Sequence, residues 1–335
     1  MTIEEAQVAA VAASFNAAAD RTDSLLAAHK SLLANASLEL RSPLSRLAVA
    51  AEILASHAEP GSAASVRREI AELHAPADEI LPVGRLAPGG EQAAQASKAA
   101  LSAYVDGGFN EVMGWGIDSF LGNVFTQIND FQVSRAINGP LVEIGVQDGR
   151  VLILLGLMAQ PGEAAIGIDI FDRQEENLDH SGINVTINKV MKNLRKFAPA
   201  VNFDLINSNS FRLLPYQQEK LRHFRFLHID GGHYLEVVLN DLELGQRMIG
   251  AGGVIVVDDY WHSGFPEVQE AVHRYFDTST NIKAAPFMVG SNKLFLASHE
   301  IRDSLRDYMA ARLPENRRKS VRVMGYDAIT CDPQW

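Results

Sequence analysis

The apolar residues of this chain follow two different rhythms. From Thr2 to Ala58 the sequence is rich in Ala, Leu and charge and contains no glycine. Leu26, Leu33, Leu40, Leu47 and Leu54 recur at every seventh position, the spacing of a coiled-coil or helix-bundle seam. Pro43 falls inside this run and is expected to kink the helix rather than end it. Glu59-Pro60-Gly61 reads as a turn. Val66, Ile70, Leu73, Ala77 and Ile80 then mark a second helix, weakened in its later half by Pro76 and Pro82. Two helices with one apolar stripe each bury little alone. Residues 1–88 are therefore expected to pair with a second copy as a four-helix bundle, making a homodimer.

The second rhythm begins after a small, polar stretch, APGGEQAAQASKAA, so that residues 89–108 read as a linker. Strands are expected at Leu141–Gly145, Ala165–Ile170, Val201–Ile206, Phe224–Asp230, Gly253–Asp258 and Lys293–Ala297. Helices are expected near Ile117–Ile137, Arg150–Met158, Val185–Phe197, Leu235–Ile249 and Pro266–Phe276. Alternation of this kind predicts an α/β, Rossmann-like doubly wound sheet over residues 109–300, preceded by the all-α hairpin. Residues 301–335 remain as a C-terminal extension, helical at first and then basic.

Two of the expected strands end in acid. FLHIDGGHY carries Asp230 and His233, and GGVIVVDDY carries Asp258 and Asp259. Apolar, β-branched runs like these suit buried parallel strands whose carboxyl ends open into a ligand crevice. Three carboxylates meeting there repel one another unless a cation or a raised pKa intervenes, and hard oxygen ligands suit Mg²⁺. Upstream, LVEIGVQDGR is a strand and a turn with Gly145 and Gly149, opening a helix whose N-terminus offers amide donors. The spacing is G-x-x-x-G, so the dinucleotide fingerprint is absent, which disfavours an NAD-linked oxidoreductase. Asp169, ending the next strand, is placed to accept from a ribose diol. Asn209 and Ser210 fall where an adenine edge would be read, or are ordinary turn residues. Glu143, a carboxylate inside an apolar strand, needs a cation or donor nearby. Phe171 packs on a nucleoside or in the core. Tyr234, Trp261, His262 and the segment around Trp115 line an acceptor pocket or serve as core or lid, and His180 has no assigned role.

Composition narrows the partners. The chain has 335 residues, 47% of them hydrophobic, and a formal net charge of -11, which argues against nucleic acid or an anionic membrane as the main partner. Cys331 is the single cysteine, so no intrachain disulfide can form, as in a reducing cytosol. No stretch approaches the roughly 20 apolar residues of a membrane span, and the residues after Met1 lack the pattern of a secretory leader. A cytoplasmic location is expected.

Two resemblances sharpen this. FNAAADRTDSLLAAHKSLLANASLELRSPLSRLAVAAE and VRREIAELHAPADEILPVGRL resemble the dimerisation and phosphoacceptor hairpin of bacterial sensor histidine kinases, over roughly residues 8–88. Where that family keeps its phosphoryl-accepting histidine this chain has Leu38, which has no acceptor atom, so phosphotransfer is excluded and the hairpin is expected to dimerise only. The succession VEIGVQDGR, IGIDIFD, INSNS, FLHIDGGHY and GGVIVVDDY resembles class I S-adenosylmethionine-dependent methyltransferases. It is nearest the metal-dependent O-methyltransferases of the macrocin type. The resemblance implies S-adenosylmethionine bound by Glu143, Gly145, Gly149, Asp169, Asn209 and Ser210, and Mg²⁺ held by Asp230, Asp258 and Asp259. It implies a general base at His233, beside Asp230, although the same histidine can cap the following helix. The catechol type has Asp-Asn where this chain has Asp258-Asp259, and the extra charge points towards a sugar, glycoside or similar polyol as the small-molecule hydroxyl acceptor. The competing reading is a non-catalytic signalling or scaffold protein that uses the hairpin to bind response regulators or kinases.

Overall fold

A computed structural model describes residues 90–332 of the chain. All of them belong to the second of the two units into which the chain divides, Arg85–Trp335. The heptad seam, the kinase-like hairpin, the dimer and the scaffold reading built on them lie outside the described residues.

The described part is a nine-stranded sheet between two layers of helix. Its strands are β1 (Leu141–Ile144), β2 (Ala165–Asp169), β3 (Phe203–Asn207), β4 (Phe224–Ile229), β5 (Ile249–Val257), β6 (Ala284–Gly290), β7 (Lys293–Ser298), β8 (Ser320–Val323) and β9 (Tyr326–Thr330). They lie in the order β3-β2-β1-β4-β5-β7-β6-β9-β8. β3, β2, β1, β4 and β5 are parallel, and β7 returns antiparallel against β5. The helices are α1 (Gly90–Val105), α2 (Ser119–Val133), α3 (Arg150–Met158), α4 (Ile187–Phe197), α5 (Pro215–Leu221), α6 (Leu235–Met248), α7 (Pro266–Thr278) and α8 (Arg302–Arg312).

Alternation along the central strands explains the two layers. Val254 and Val256 of β5 join one apolar cluster with Phe125 and Ile128 of α2, Leu152 of α3 and Leu305 of α8. Ile255 and Val257 join the other, with Val238 and Leu242 of α6 and Val272 of α7. Every residue of β4 is buried, as a strand covered on both faces must be. The strand order reverses between β1 and β4, the switch point at which an open sheet of this kind leaves a crevice beyond its carboxyl ends. There Gly145 follows β1 with φ 86°, and a Cβ on it would stand 1.8 Å from the carbonyl oxygen of Asp230. Only glycine allows the ends of β1 and β4 to come this close.

Three expectations need correction. The stretch read as a linker, 89–108, is helical over Gly90–Val105, and Tyr104 and Val105 are buried in the core. Its Gln- and Ala-rich sequence has the helix propensity that its small residues disguised. The extension 301–335 is part of the same fold: Leu305, Met309 and Cys331 are buried, and β9 pairs with β6. β6 itself was not foreseen, because Pro286 interrupts it; the register shifts between Pro286 and Met288 so that the ladder bypasses the missing N–H.

Candidate active site

At the switch point a cavity of about 720 Å³ opens, the size expected of a small-molecule site. Its walls come from the ends of β1, β2, β3, β4 and β5, from the segment between Met113 and α2, and from residues 171–186 between β2 and α4. Gly145, Asp169, Asn209, Ser210, Asp230, His233, Asp258 and Asp259 all line it. Gly149 does not; it stands at the start of α3, whose first turn faces the same space through Arg150.

The side towards β2 and β3 is built largely from backbone. Asp169 accepts from the amides of Val146 (2.6 Å) and Gln147 (2.9 Å) through one oxygen and from Phe171 (2.6 Å) through the other. It thereby fastens the turn after β1 to the end of β2, a clamping role that the sequence reading did not foresee beside ribose binding. Burial nonetheless pushes its pKa up against these amide bonds. Asn209 caps the short turn that follows β3, accepting from the Phe211 amide at 3.1 Å. Phe171 is 1% exposed and belongs to the core.

Glu143 is buried one residue inside β1, opposite His228 of β4 in the ladder. Its Oε1 lies 3.2 Å from His228 Nδ1, while Oε2 has no hydrogen-bond partner among the described residues. Burial pushes the Glu143 carboxyl up to about 7, against the pull of His228. A second donor or cation is therefore wanted at Oε2.

On the side towards β5 and β7, side chains carry the structure. Asp258 Oδ2 is in contact with Lys293 Nζ and lies 3.4 Å from His228 Nε2. Its Oδ1 accepts from the Asp259 amide at 2.8 Å. Burial would raise the Asp258 pKa, but Lys293 and His228 hold it well below the usual carboxylate range. Burial opposes charge on His228 too, yet its bonds to Asp258 and Glu143 hold it up at about 9. Asp259 adopts φ 56° and accepts from Asn292 Nδ2 (2.7 Å) and His233 Nε2 (3.0 Å). The other nitrogen of His233, Nδ1, faces Asp179 Oδ2 at 2.8 Å, and Phe265 stacks on the ring at 3.7 Å. Between two carboxylates His233 is held up at about 9 despite burial, so in this arrangement it holds a proton.

Two of the three acids are compensated without an added cation. Lys293 and His228 compensate Asp258, and His233 compensates Asp259. Asp230 is the exception. Its carboxylate accepts no hydrogen bond from any described residue, and burial together with the charge of Asp258 drives its pKa well above normal. Its Oδ2 and that of Asp258 both face the space over Gly116: a Cβ there would stand 3.6 and 3.3 Å from them. Two groups of side chains, His228 with Asp230 and Asp258, and Asp230 with His233 and Asp259, bring ligand atoms within 4.8 Å of one another.

Three partners in this cluster escaped the sequence reading. Lys293, His228 and Asp179 were not singled out as candidate site residues. His180 itself is exposed with φ 56° and stays outside the cavity. Trp115, Tyr234 and His262 line the cavity, whereas Trp261 does not.

With this geometry in view, residues 142–260 match the model of a family described as a methyltransferase domain. The chain carries that domain, on a mixed α/β sheet of Rossmann-like methyltransferase form. It is an S-adenosylmethionine-dependent methyltransferase. No curated protein matches the chain in sequence. Among solved structures, the O-methyltransferase NovP is 18% identical, with 54% of this chain and 81% of that one covered and a TM-score of 0.46. CalS11, a TDP-rhamnose 3'-O-methyltransferase of calicheamicin biosynthesis, is 11% identical over 63% of this chain and 96% of that one, with a TM-score of 0.41. An O-methyltransferase from Bacillus cereus in complex with SAH is 12% identical over 64% and 92%, again with a TM-score of 0.41. Among the described residues no helix is long and apolar enough to cross a membrane.

Proposed function

We propose that this chain transfers the methyl group of S-adenosylmethionine to a hydroxyl oxygen of a sugar, glycoside or similar small polyol, with Mg²⁺ assisting. The observation that carries the reading is Asp230, an unpartnered carboxylate in the same cavity as the Gly145 turn. A carboxylate left in this state calls for a cation or a hydroxyl donor. Asp230, the acid common to both groups, would be the ion's central ligand, joined by Asp258 on one side or Asp259 on the other, and offers the hard oxygens Mg²⁺ favours. A bound divalent ion would lower the pKa of an acceptor hydroxyl and orient it.

The chain's own residues supply the rest. The turn at Gly145 would receive the amino-acid end of the cofactor, and Asp169, Asn209 and Ser210 its nucleoside end. Glu143 does not itself line the cavity, and its Oε2, unpaired among the described residues, would act on that end from within β1. In-line transfer from a sulfonium then depends mainly on alignment of the two substrates. His233 can accept the hydroxyl proton only when its Nε2 is released from Asp259, since between both carboxylates it already carries one. Asp230, whose pKa burial and Asp258 raise, could take it only while ionised and not bound to the ion. Trp115, 72% exposed, and Tyr234, 42% exposed, offer flat faces at the cavity wall that suit the apolar faces of a sugar ring. Pairing through the N-terminal hairpin is proposed on the leucine heptads alone, and a cytoplasmic setting on the lone cysteine.

Methyl transfer from tritium-labelled S-adenosylmethionine to a panel of glycosides, free sugars and catechols tests this. The expected result is labelling of a glycoside or sugar hydroxyl, abolished by EDTA, restored by Mg²⁺ and lost in Asp230→Asn. Absence of S-adenosylhomocysteine binding by calorimetry, or full activity in Asp258→Ala, would overturn it.

A further inference from the structure

The turn between β6 and β7 reaches the acid cluster but has no part in the chemistry above. It consists of Ser291 and Asn292, with φ 49° and 63°. A pair of positive φ values is that of a type I′ hairpin turn, and asparagine is among the few residues besides glycine that adopt such a conformation readily. β7 runs antiparallel to β5 and pairs Leu294 with Val257. The tip of the hairpin therefore arrives just beyond the carboxyl end of β5, where Asp258 and Asp259 stand. Both turn residues line the cavity.

Asn292 bonds to three consecutive residues of the turn after β5. Its carbonyl accepts from the Tyr260 amide at 2.9 Å, and its Oδ1 accepts from the Trp261 amide at 3.0 Å. Its Nδ2 donates to Asp259 Oδ1 at 2.7 Å. The side-chain amide can sit only this way round, since a backbone N–H only donates and an ionised carboxylate only accepts. Asp259 itself has φ 56°, a strained conformation that a non-glycine residue keeps only where its neighbours fix it. Its Oδ2 lies 3.0 Å from His233 Nε2, and Asp230, His233 and Asp259 bring ligand atoms within 4.8 Å of one another. Successive residues thus serve successive acids in different ways. Lys293 meets Asp258 with a charge, whereas Asn292 meets Asp259 with a neutral donor. A neutral donor fixes the direction of a carboxylate while leaving its charge in place, and an oxygen bonded once keeps a lone pair.

We propose that Asn292 is a positioning residue for the divalent ion: it holds the Asp259 carboxylate beside Asp230, oriented and still charged, as a ligand for the ion to meet. The inference rests on the Mg²⁺ reading and adds a residue that acts through Asp259. The residue type suits the task. Aspartate at 292 would set acceptor against acceptor, and lysine would compensate the charge that the ion needs. Glycine would keep the backbone of the turn, with its carbonyl bond to Tyr260, and remove both side-chain bonds.

Calorimetric titration of the full-length protein with Mn²⁺, in the presence of S-adenosylhomocysteine, tests this without knowledge of the acceptor. Asn292→Gly is expected to weaken Mn²⁺ binding by about 10- to 100-fold, the range for partners that orient a metal ligand. A separate titration with S-adenosylhomocysteine alone is expected to match wild type, because Asn292 lies on the side of the cavity away from Asp169 and Asn209. A role confined to shaping the turn would leave Mn²⁺ binding as it is. Circular dichroism checks that the variant is folded. If it is not, Asn292→Ser, whose hydroxyl ends short of the position of Nδ2, takes its place with the same expectation. Unchanged Mn²⁺ binding in a folded variant would overturn the proposal. So would a parallel loss of Mn²⁺ and S-adenosylhomocysteine binding, which would mean that Asn292 supports the cavity as a whole. Wild type that binds S-adenosylhomocysteine but no Mn²⁺ would instead overturn the Mg²⁺ reading, and the proposal with it.

Discussion

The two walls of the cavity are stabilised by different means. Towards β2 the turn after β1 is held by one carboxylate, Asp169, accepting backbone amides from residues close to it in sequence or in the ladder. Towards β5 and β7 the wall is a chain of side chains, Glu143–His228–Asp258–Lys293 on one path and Asp179–His233–Asp259 on another. A backbone-built wall keeps its shape whatever is bound. A wall of paired charges keeps its shape only while every partner is present, and Asp230, whose carboxylate accepts from no described residue, is where a ligand would act.

That contrast makes opposite predictions for two neighbouring aspartates. Asp258→Asn leaves Lys293, 1% exposed, without its counter-charge, and should destabilise the protein by about 3–5 kcal/mol in urea denaturation. Asp230→Asn removes a carboxylate that nothing compensates, and should leave the ligand-free protein as stable or slightly more so. Equal losses from both would break the distinction. On the backbone side, Gly145→Ala forces a Cβ onto the Asp230 carbonyl at a positive φ. A loss on the order of 3 kcal/mol is expected, lowering Tm by about 10 °C, with S-adenosylhomocysteine binding abolished. A change below about 2 °C would mean the β1–β4 approach is looser than described.

How much of this the sequence disclosed follows the same divide. β1, β2, β4 and β5 were legible because buried parallel strands are apolar runs, and Gly145, Asp169, Asp230, Asp258 and Asp259 because they sit at the ends of those runs. Local pattern could not reveal which charges pair. Lys293 is 35 residues from Asp258, and Asp179 is 54 from His233; only folding brings them together. Helix α1 was taken for a linker because small polar residues suit both, and β6 was missed because Pro286 breaks its alternation. β8 and β9 are short, with a turn at Met324 and Gly325 of positive φ, and lie in the part of the tail read only as basic after its helix.

Smaller effects sharpen the contrast through pH. Burial raises the Asp241 pKa to about 6, against hydrogen bonds from Ser210 and Asn240. A raised carboxyl binds its proton more tightly when folded, so it costs nothing below about pH 4 and destabilises increasingly up to about pH 6. Asp241→Asn should therefore be more stable than wild type by about 1–3 kcal/mol at pH 8, with the gain gone at pH 4. An equal gain at both values would remove burial of charge as its cause. His233 behaves in the opposite sense. Its folded pKa of about 9 exceeds the unfolded 6.5, so its contribution is complete below 6.5 and is lost as pH rises through 9. Amide exchange in residues 171–186, corrected for its intrinsic pH dependence, should stay slow at pH 6 and quicken above pH 9 as the bond to Asp179 weakens. Asp179→Asn should already show fast exchange at pH 6.

The central claim is that the cofactor turn and the acid cluster serve one reaction in one cavity. Anomalous diffraction from crystals soaked with S-adenosylhomocysteine and Mn²⁺ tests it most directly. The account predicts a single strong peak bounded by Asp230, Asp258 and Asp259, facing the sulfur of the bound cofactor. A peak elsewhere, or none with the cofactor clearly bound, would contradict it.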